Sequence, residues 1–457
     1  MKKILILGAG RSASTLIEYL LKVASISDYE VTVADTSLDL AQQKTKNHPK
    51  SRAIALDTND ETKTREEIQR ADLVVSMLPA FLHPAIAKQC VKFKKNMVTA
   101  SYVSPEMKAL DEEAKKAGII LMNESGLDPG IDHASAMKII DHIKAQCGKL
   151  TSFKSYTGGL IAPESDDNPW GYKFTWAPKN VILAGQGTAK YLENGKFAFI
   201  PYHKLFTRTE PISIDGYGDF EGYANRDSIS YRSVYGIEDV QTLLRGTLRK
   251  EGYCEAWNVF VQLGMTDDTY IIPNSEELTN KEFLELFLPL EKEDTETRLL
   301  DYLGHEMNNE ILYKLEWLGL FGDAKLGVKN ATPAMMLQTL LEEKWKLKDG
   351  DIDMIVMQHQ FEYEMPKKDK TNDGKRHGGD RSVTKHKIES SLVVKGDDAI
   401  HTAMAKTVGL PVGIITKLIL EGNIKLTGVQ IPTVKEIYLL LLEELEGLGV
   451  RFVEKER

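Results

Sequence analysis

The sequence predicts an α/β protein, a doubly wound parallel sheet at the N-terminus followed by a second α/β domain. Three observations carry that expectation. The chain opens on an apolar run, Lys3-Ile4-Leu5-Ile6-Leu7, which breaks into Gly8-Ala9-Gly10-Arg11-Ser12-Ala13 and then into helix-spaced Leu16, Ile17, Leu20 and Leu21. A second apolar run, Val31-Thr32-Val33-Ala34, ends on Asp35. Short runs of buried-strand type then alternate with helical stretches through the first third of the chain, as a parallel sheet requires.

The first two elements read as strand, tight turn, helix start and second strand. Gly8 permits the turn, Gly10 lets the backbone approach a pyrophosphate, and the small Ala13 allows close helix–strand packing. The helix N-terminus supplies N–H donors and a positive dipole end. An acid closing the second strand accepts from a ribose 2′-hydroxyl and repels a 2′-phosphate, so NAD is expected over NADP. The later strands are expected at Arg52–Asp57, Asp72–Pro79, Asn96–Ser101 and Gly118–Asn123. Ligands bind such sheets outside the carboxyl ends of the strands, which puts Asp57, Leu78, Pro79, Ser101 and Asn123 along one rim.

At 457 residues the chain is long enough for two or three domains, and 42% hydrophobic with 27% charged residues is ordinary for a globular protein. A formal charge of -9 argues against a nucleic-acid partner. No uninterrupted apolar run approaches membrane-spanning length, so no membrane partner is expected. Met1-Lys2-Lys3 leads into the glycine turn rather than a cleavage site, and a cytoplasmic location is expected. Cys90, Cys147 and Cys254 are isolated, without the spacing of a disulfide framework or a zinc site.

Beyond residue 128 Gly, Pro, aromatic and charged residues mix through Thr157-Gly158-Gly159, Pro163 to Pro169 and Tyr223 to Asp227, read as loops of the second domain. From Asn280 to Lys346 the chain turns charged and helical, a small helical subdomain. Two β-like runs follow, Asp353–His359 and Lys387–Val394; their polar connector, Lys367 to Lys385, reads as a solvated hairpin tip. A helical tail beginning near Ala403 is expected to pack back on the first domain. The expected boundaries are 1–127 with 398–457, 128–280 with 351–397, and 281–350.

Three clusters carry chemistry. Tyr102, where a strand empties into its loop, is either an acid/base or donor to a substrate, or a packing tyrosine; position alone does not separate these. Asp128 and Asp132, in Gly126-Leu127-Asp128-Pro129-Gly130-Ile131-Asp132-His133, are placed to accept a proton or hold a ligand amine. The competing reading makes Asp128 a turn or cap residue before Pro129. His133 reads as structural, and no ligand cluster points to a metal. Arg226, Arg245 and Arg249, read as loop residues near glycine turns, suggest bidentate recognition of carboxylates on a small ligand, or else surface ion pairs.

The chain resembles the saccharopine dehydrogenase (L-glutamate-forming), or saccharopine reductase, family. The matching blocks are Thr99 to Pro105, Gly126 to His133, Gly158-Gly159-Leu160 leading to Ala162-Pro163-Glu164, Asn168-Pro169 with Tyr172 to Trp176, Asn225 to Ser228, Leu244 to Arg249 and Ala403 to Pro411. The resemblance implies a Rossmann domain completed by the C-terminal tail, a mixed-sheet substrate domain with a helical insertion, and a homodimer. It implies that Ser101, Tyr102, Asp128, Arg226, Thr247 and Arg249 contact saccharopine. It further implies that the turn Gly8-Ala9-Gly10-Arg11-Ser12, with Asp35, Asp57, Leu78, Thr99, Leu127 and Trp176, lies along the dinucleotide. The implied reaction is NAD-dependent oxidation of saccharopine at its secondary amine, followed by imine hydrolysis to L-glutamate and 2-aminoadipate 6-semialdehyde, with Asp128 and Tyr102 as candidates for proton transfer. The alternatives are a related C–N oxidoreductase such as carboxynorspermidine dehydrogenase, whose substrate carries fewer carboxylates, and a non-catalytic dinucleotide-responsive protein. Two departures stand out. Relatives often carry a cysteine before the Gly-Gly pair, where this chain has Thr157, which cannot titrate near neutral pH. Fungal biosynthetic relatives place an arginine near the end of the second strand, where this chain has Asp35.

Overall fold

A computed structural model describes residues 1–290, 293–304, 307–367 and 383–457, so most of the connector expected as a hairpin tip lies outside the described residues. The chain divides into two compact units. The first holds Met1–Leu150 and Leu392–Arg457 with the described residues of Tyr363–His386; the second holds Thr151–Glu362 and Lys387–Ser391.

In the first unit β1 (Lys2–Leu7), β2 (Tyr29–Asp35), β3 (Ser51–Ala55), β4 (Leu73–Ser76), β5 (Asn96–Thr99) and β6 (Ile120–Met122) form a parallel sheet. A seventh strand, Gly428–Gln430 of the tail, pairs in parallel with β6. The order is tail strand-β6-β5-β4-β1-β2-β3, so the direction of winding reverses between β1 and β4. The central strands bury both faces: Ile4, Leu5, Ile6, Val31, Val33, Val74 and Val75 are all at most 1% exposed.

The tail helix Ala403–Glu421 is interrupted as an apolar run by Lys406 and Lys417. By length and a mean hydropathy of 1.5 it is apolar enough to cross a membrane, yet 83% of that stretch is buried inside the protein. It lies so close to the helix Ser14–Ile26 that a Cβ on Gly409 would stand 2.7 Å from the Leu16 backbone nitrogen, and one on Gly413 2.6 Å from the Tyr19 ring. The helix Ile131–Ala145, expected in the second domain, clusters with the first unit. Tyr438 on the tail helix Lys435–Gly447 donates to Asp141 at 2.7 Å, and ten residues of Ile131–Ala145 are buried.

The second unit is built on a mixed sheet of β7 (Lys149–Ile161), β8 (Ala189–Glu193), β9 (Lys196–Ile200), β10 (Thr209–Ile214), β11 (Gly218–Ala224), β12 (Thr242–Lys250), β13 (Asp353–Pro366) and β14 (Val383–Lys395), to which β13 contributes its residues up to Glu362 and β14 only Lys387–Ser391. Its order runs β10-β11-β12-β7-β13-β14, with β8 on β12 and β9 on β8. β12 pairs parallel with β7 and antiparallel with β11. Thr157-Gly158-Gly159 is therefore strand, not loop. A Cβ on Gly158 would stand 2.7 Å from the Leu248 carbonyl oxygen, a close approach that requires glycine.

The helical stretch resolves into Asn280–Glu285, Thr295–Leu303, Asn309–Trp317 and Pro333–Trp345. Each starts where its sequence offers an N-cap oxygen: Thr279, Asp294, Asn308 and Thr332 each accept from a backbone N–H of the first turn. Thr279 and Glu282 close a reciprocal capping box. Trp170, Tyr172, Tyr253, Trp257, Phe260 and Trp345 pack ring against ring and join the last of these helices to the helix Tyr253–Leu263 and to the segment that carries Trp170 and Tyr172.

Candidate active site

Every residue expected along the rim of the first sheet stands at or just beyond the carboxyl end of a strand. Gly8 follows β1 with φ +99°, and a Cβ there would meet the Met77 carbonyl oxygen at 3.0 Å. A side chain is excluded twice over, by conformation and by space. At Gly10 a Cβ would meet no protein atom within 4 Å, so the backbone is open to close approach from outside. Arg11–Ala13 form a single 3-10 turn before the helix Ser14–Ile26, and Ala13 is 1% exposed. Asp35 ends β2; its Oδ2 accepts from Ala9 N at 2.8 Å and its Oδ1 from Ser37 N at 3.0 Å. One carboxylate thus ties the glycine turn to the second strand and puts a negative charge where a ribose would lie. Asp57 is exposed beyond β3, Leu78 half-buried beyond β4 and Leu127 buried beyond β6. A cradle of this kind fits a dinucleotide.

At the ends of β4 and β5 lies a buried polar row. The His83 ring, 3% exposed, sets Nδ1 2.8 Å from the Ser76 hydroxyl. Its Nε2 stands 2.8 Å from the Ser101 hydroxyl and 3.2 Å from that of Thr99. Burial pushes the imidazole pKa down to about 4, so the ring is neutral at working pH.

The two loops that carry Tyr102 and Asp128 are cross-tied. Tyr102, exposed, donates its hydroxyl to Asp128 Oδ1 at 3.3 Å. Glu124, a non-glycine residue at φ +53°, accepts from Val103 N at 3.1 Å and faces His133 Nε2 at 2.7 Å. His133 Nδ1 stands 3.5 Å from Asp132, whose other oxygen accepts from Gly130 N at 2.6 Å. His133 is thus a structural residue. Asp132 is 1% exposed and braces the turn preceding its helix, so of the two candidate carboxylates Asp128, half-buried, is the one at the rim. Among the described residues no group of three or more His, Cys, Asp or Glu side chains is placed to hold a metal.

In the second unit Arg245 and Arg249 sit on β12, not on loops, which corrects the sequence reading. With Thr247 they occupy alternate positions and so share one face of the strand. The opposite face at Gly222 and Gly246 is filled by the Tyr156 ring, which a Cβ on either would strike at under 3 Å. Arg245, 4% exposed, lies 4.0 Å over the Tyr231 ring. Arg249, also 4% exposed, is surrounded by the rings of Tyr172, Tyr253 and Tyr223 at 5.1, 5.3 and 5.8 Å. One of its terminal nitrogens donates to the Leu248 carbonyl at 2.8 Å, while Nε, buried, has no hydrogen-bond partner. Among the described residues no carboxylate lies within ion-pair distance of it. Arg226 stands apart, exposed on the loop after β11, donating to the Leu183 carbonyl at 3.3 Å. Trp176 is half-buried at the end of a segment anchored by Lys173, which is 0% exposed and pairs with Asp167 at 2.7 Å and Asp351 at 2.8 Å.

Sequence reasoning missed His83 and Glu124. Each is a single polar residue outside any spacing pattern; the one signal for His83 was its position after Pro79 at a strand's carboxyl end.

Residues 4–122 match the family model described as saccharopine dehydrogenase NADP binding domain, and residues 126–450 that described as saccharopine dehydrogenase C-terminal domain. The chain is 37% identical over 466 residues to the NADP(+), L-glutamate-forming saccharopine dehydrogenase of Schizosaccharomyces pombe, covering 100% of this chain and 99% of that one. It is likewise 37% identical over 459 residues to mitochondrial alpha-aminoadipic semialdehyde synthase of Rattus norvegicus, covering 99% of this chain and 47% of that protein. Among solved structures, apo saccharopine dehydrogenase (L-Glu forming) from Saccharomyces cerevisiae matches with a TM-score of 0.88 and 36% identity over 100% of both chains. Homospermidine synthase from Legionella pneumophila, at 9% identity and a TM-score of 0.55, shares the fold alone. Parallel nucleotide-type sheet, mixed second sheet and full-length likeness agree: the chain is an oxidoreductase of the saccharopine dehydrogenase family.

Proposed function

We propose that this chain oxidises saccharopine at its secondary amine with NAD, yielding L-glutamate and 2-aminoadipate 6-semialdehyde once water hydrolyses the imine. The observation that carries the reading is Arg249. A guanidinium this deeply buried, ringed by tyrosines and lacking a carboxylate partner among the described residues, is costly in the free protein and is matched by a ligand carboxylate. Saccharopine is a secondary amine bearing several carboxylates, and the relatives' names specify the same substrate.

When bound, the dinucleotide supplies the hydride acceptor. Arg249 holds a substrate carboxylate, with the Thr247 hydroxyl on the same strand face as a further donor, while Arg245 and Arg226 recognise outer carboxylates. Asp128 accepts the proton that leaves the amine, and the Tyr102 hydroxyl keeps that carboxylate oriented. Thr157 takes no part in proton transfer, because its hydroxyl does not titrate.

NAD is proposed over the NADP(+) in the relatives' names on account of Asp35, whose charge opposes a 2′-phosphate. Initial-rate kinetics with saccharopine and each dinucleotide tests both halves of the reading. No turnover with either dinucleotide rejects the activity; equal kcat/KM with the two rejects the cofactor assignment.

A further inference from the structure

The polar row at the ends of β4 and β5 runs from the interior to the rim. Ser76 and Thr99 are 0% and 1% exposed, while Ser101 is half-buried at the ligand-binding edge of the sheet. The His83 ring bridges all three, and Thr99 in turn accepts from Ser101 N at 3.3 Å. A buried imidazole is costly unless its nitrogens are satisfied, and a packing role alone is served by an apolar side chain. Because the ring is neutral, one nitrogen donates and the other accepts. With Nε2 unprotonated the Ser101 hydroxyl gives its one proton to the ring and faces outward as an acceptor only; with Nε2 protonated it accepts from the ring and turns its O–H outward as a donor, keeping a second lone pair.

We propose that His83 is a positioning residue, which orients the Ser101 hydroxyl for the substrate from inside the sheet. The inference rests on the reading of Ser101 as part of the substrate site. His83 touches no ligand itself. It opens the helix His83–Phe93 and is followed by Pro84, so its backbone is held at the sheet end while the ring is clamped from both sides.

Two substitutions split the ring's functions. In His83→Gln the side-chain amide reaches about as far as Nε2 and keeps the contact with Ser101; in His83→Asn it reaches only as far as Nδ1 and keeps the contact with Ser76. His83→Asn and Ser101→Ala are each expected to lower kcat/KM for saccharopine about tenfold or more, the size of one lost hydrogen bond, with NADH affinity within about twofold of the wild type. His83→Gln is expected to stay within about threefold of the wild type. The double variant His83→Asn/Ser101→Ala is expected to be no worse than Ser101→Ala alone, since one residue acts through the other. Losses that multiply in the double variant, wild-type kinetics in His83→Asn, or equal losses in Gln and Asn variants each overturn the proposal. A second arm needs no substrate: in protein labelled with 15N-histidine, Ser101→Ala is expected to shift the Nε2 resonance of His83. An unchanged resonance overturns the positioning role, even where His83→Asn fails to fold. Absence of saccharopine turnover in the wild type instead rejects the proposed function, and the resonance then decides the positioning role by itself.

Discussion

The rim of the first unit and the β12 face of the second hold their charges in opposite ways. Asp35 and Asp57 stand at strand ends, half-buried or exposed, and satisfy themselves on nearby backbone N–H groups. Arg249 is nearly sealed from water among tyrosine rings, with no carboxylate partner among the described residues. Water screens the first kind of charge and leaves the second almost unscreened, so equal substitutions should have unequal effects. A nucleotide cradle is made of backbone and turn geometry and tolerates solvent. A pocket for a substrate carboxylate draws its strength from exclusion of water.

That contrast is sharpest at Arg249. Arg249→Met keeps most of the side-chain volume and removes the charge. We expect kcat/KM for saccharopine to fall by about 2–5 kcal/mol, roughly 30-fold to several thousandfold, while the melting temperature of the free protein stays level or rises. Arg226→Ala, on an exposed loop, should cost less than about 1 kcal/mol. Comparable losses in both variants would erase the distinction between the two arginines.

Next in size is Asp128. Asp128→Asn should fold, bind NADH as the wild type does, and lose about two or more orders of magnitude in saccharopine oxidation. A variant that keeps near-wild-type turnover and the same pH–rate profile moves proton transfer elsewhere, to Tyr102, to water, or to the substrate's own carboxylates.

A smaller change is expected at the cradle. Asp35→Arg removes a repulsion and adds a phosphate partner, so the NAD-to-NADP ratio of kcat/KM should move toward NADP by about tenfold or more. It also removes the acceptor for Ala9 N, and weaker binding of both dinucleotides should accompany the switch. An unchanged ratio would show that selectivity is set away from β2.

The smallest effect concerns pH. Hydrogen bonds from Lys173 and then Lys348 hold the Asp167 carboxyl down to about 2, below its ordinary value near 3.8. A depressed carboxyl contributes stability above its unfolded pKa and loses it as pH falls through the folded one. Asp167→Asn should therefore lower the melting temperature at pH 7, with the difference shrinking between about pH 4 and pH 2. The shift should be modest because Asp167 is partly exposed.

The same contrast explains what was legible in the sequence. The glycine turn, Asp35 and the strand ends could be read because each depends on residues close together in the chain, and the tail's return was implied by the family resemblance. The face of β12 could not, because Arg245, Thr247 and Arg249 gain meaning only once the segment is known to be a strand rather than a loop. Their spacing of two was present throughout, but Gly246 suggested a turn; the structure shows that Gly246 makes room for the Tyr156 ring on the other face. His83 and Glu124 were illegible for a related reason. Their partners, Ser76, Thr99, Ser101, Val103 and His133, lie on other elements and meet them only in the fold.

The pairing of Gly428–Gln430 with β6 has a consequence for synthesis on the ribosome. About three hundred residues separate the partners, so β6 remains an open edge until that whole interval has emerged. The second unit is encoded within that interval and can assemble first, while the opening third waits for its last strand. A nascent chain stalled before residue 400 would present an unpaired, apolar β6 and an uncovered helix Ser14–Ile26, the kind of surface that chaperones bind.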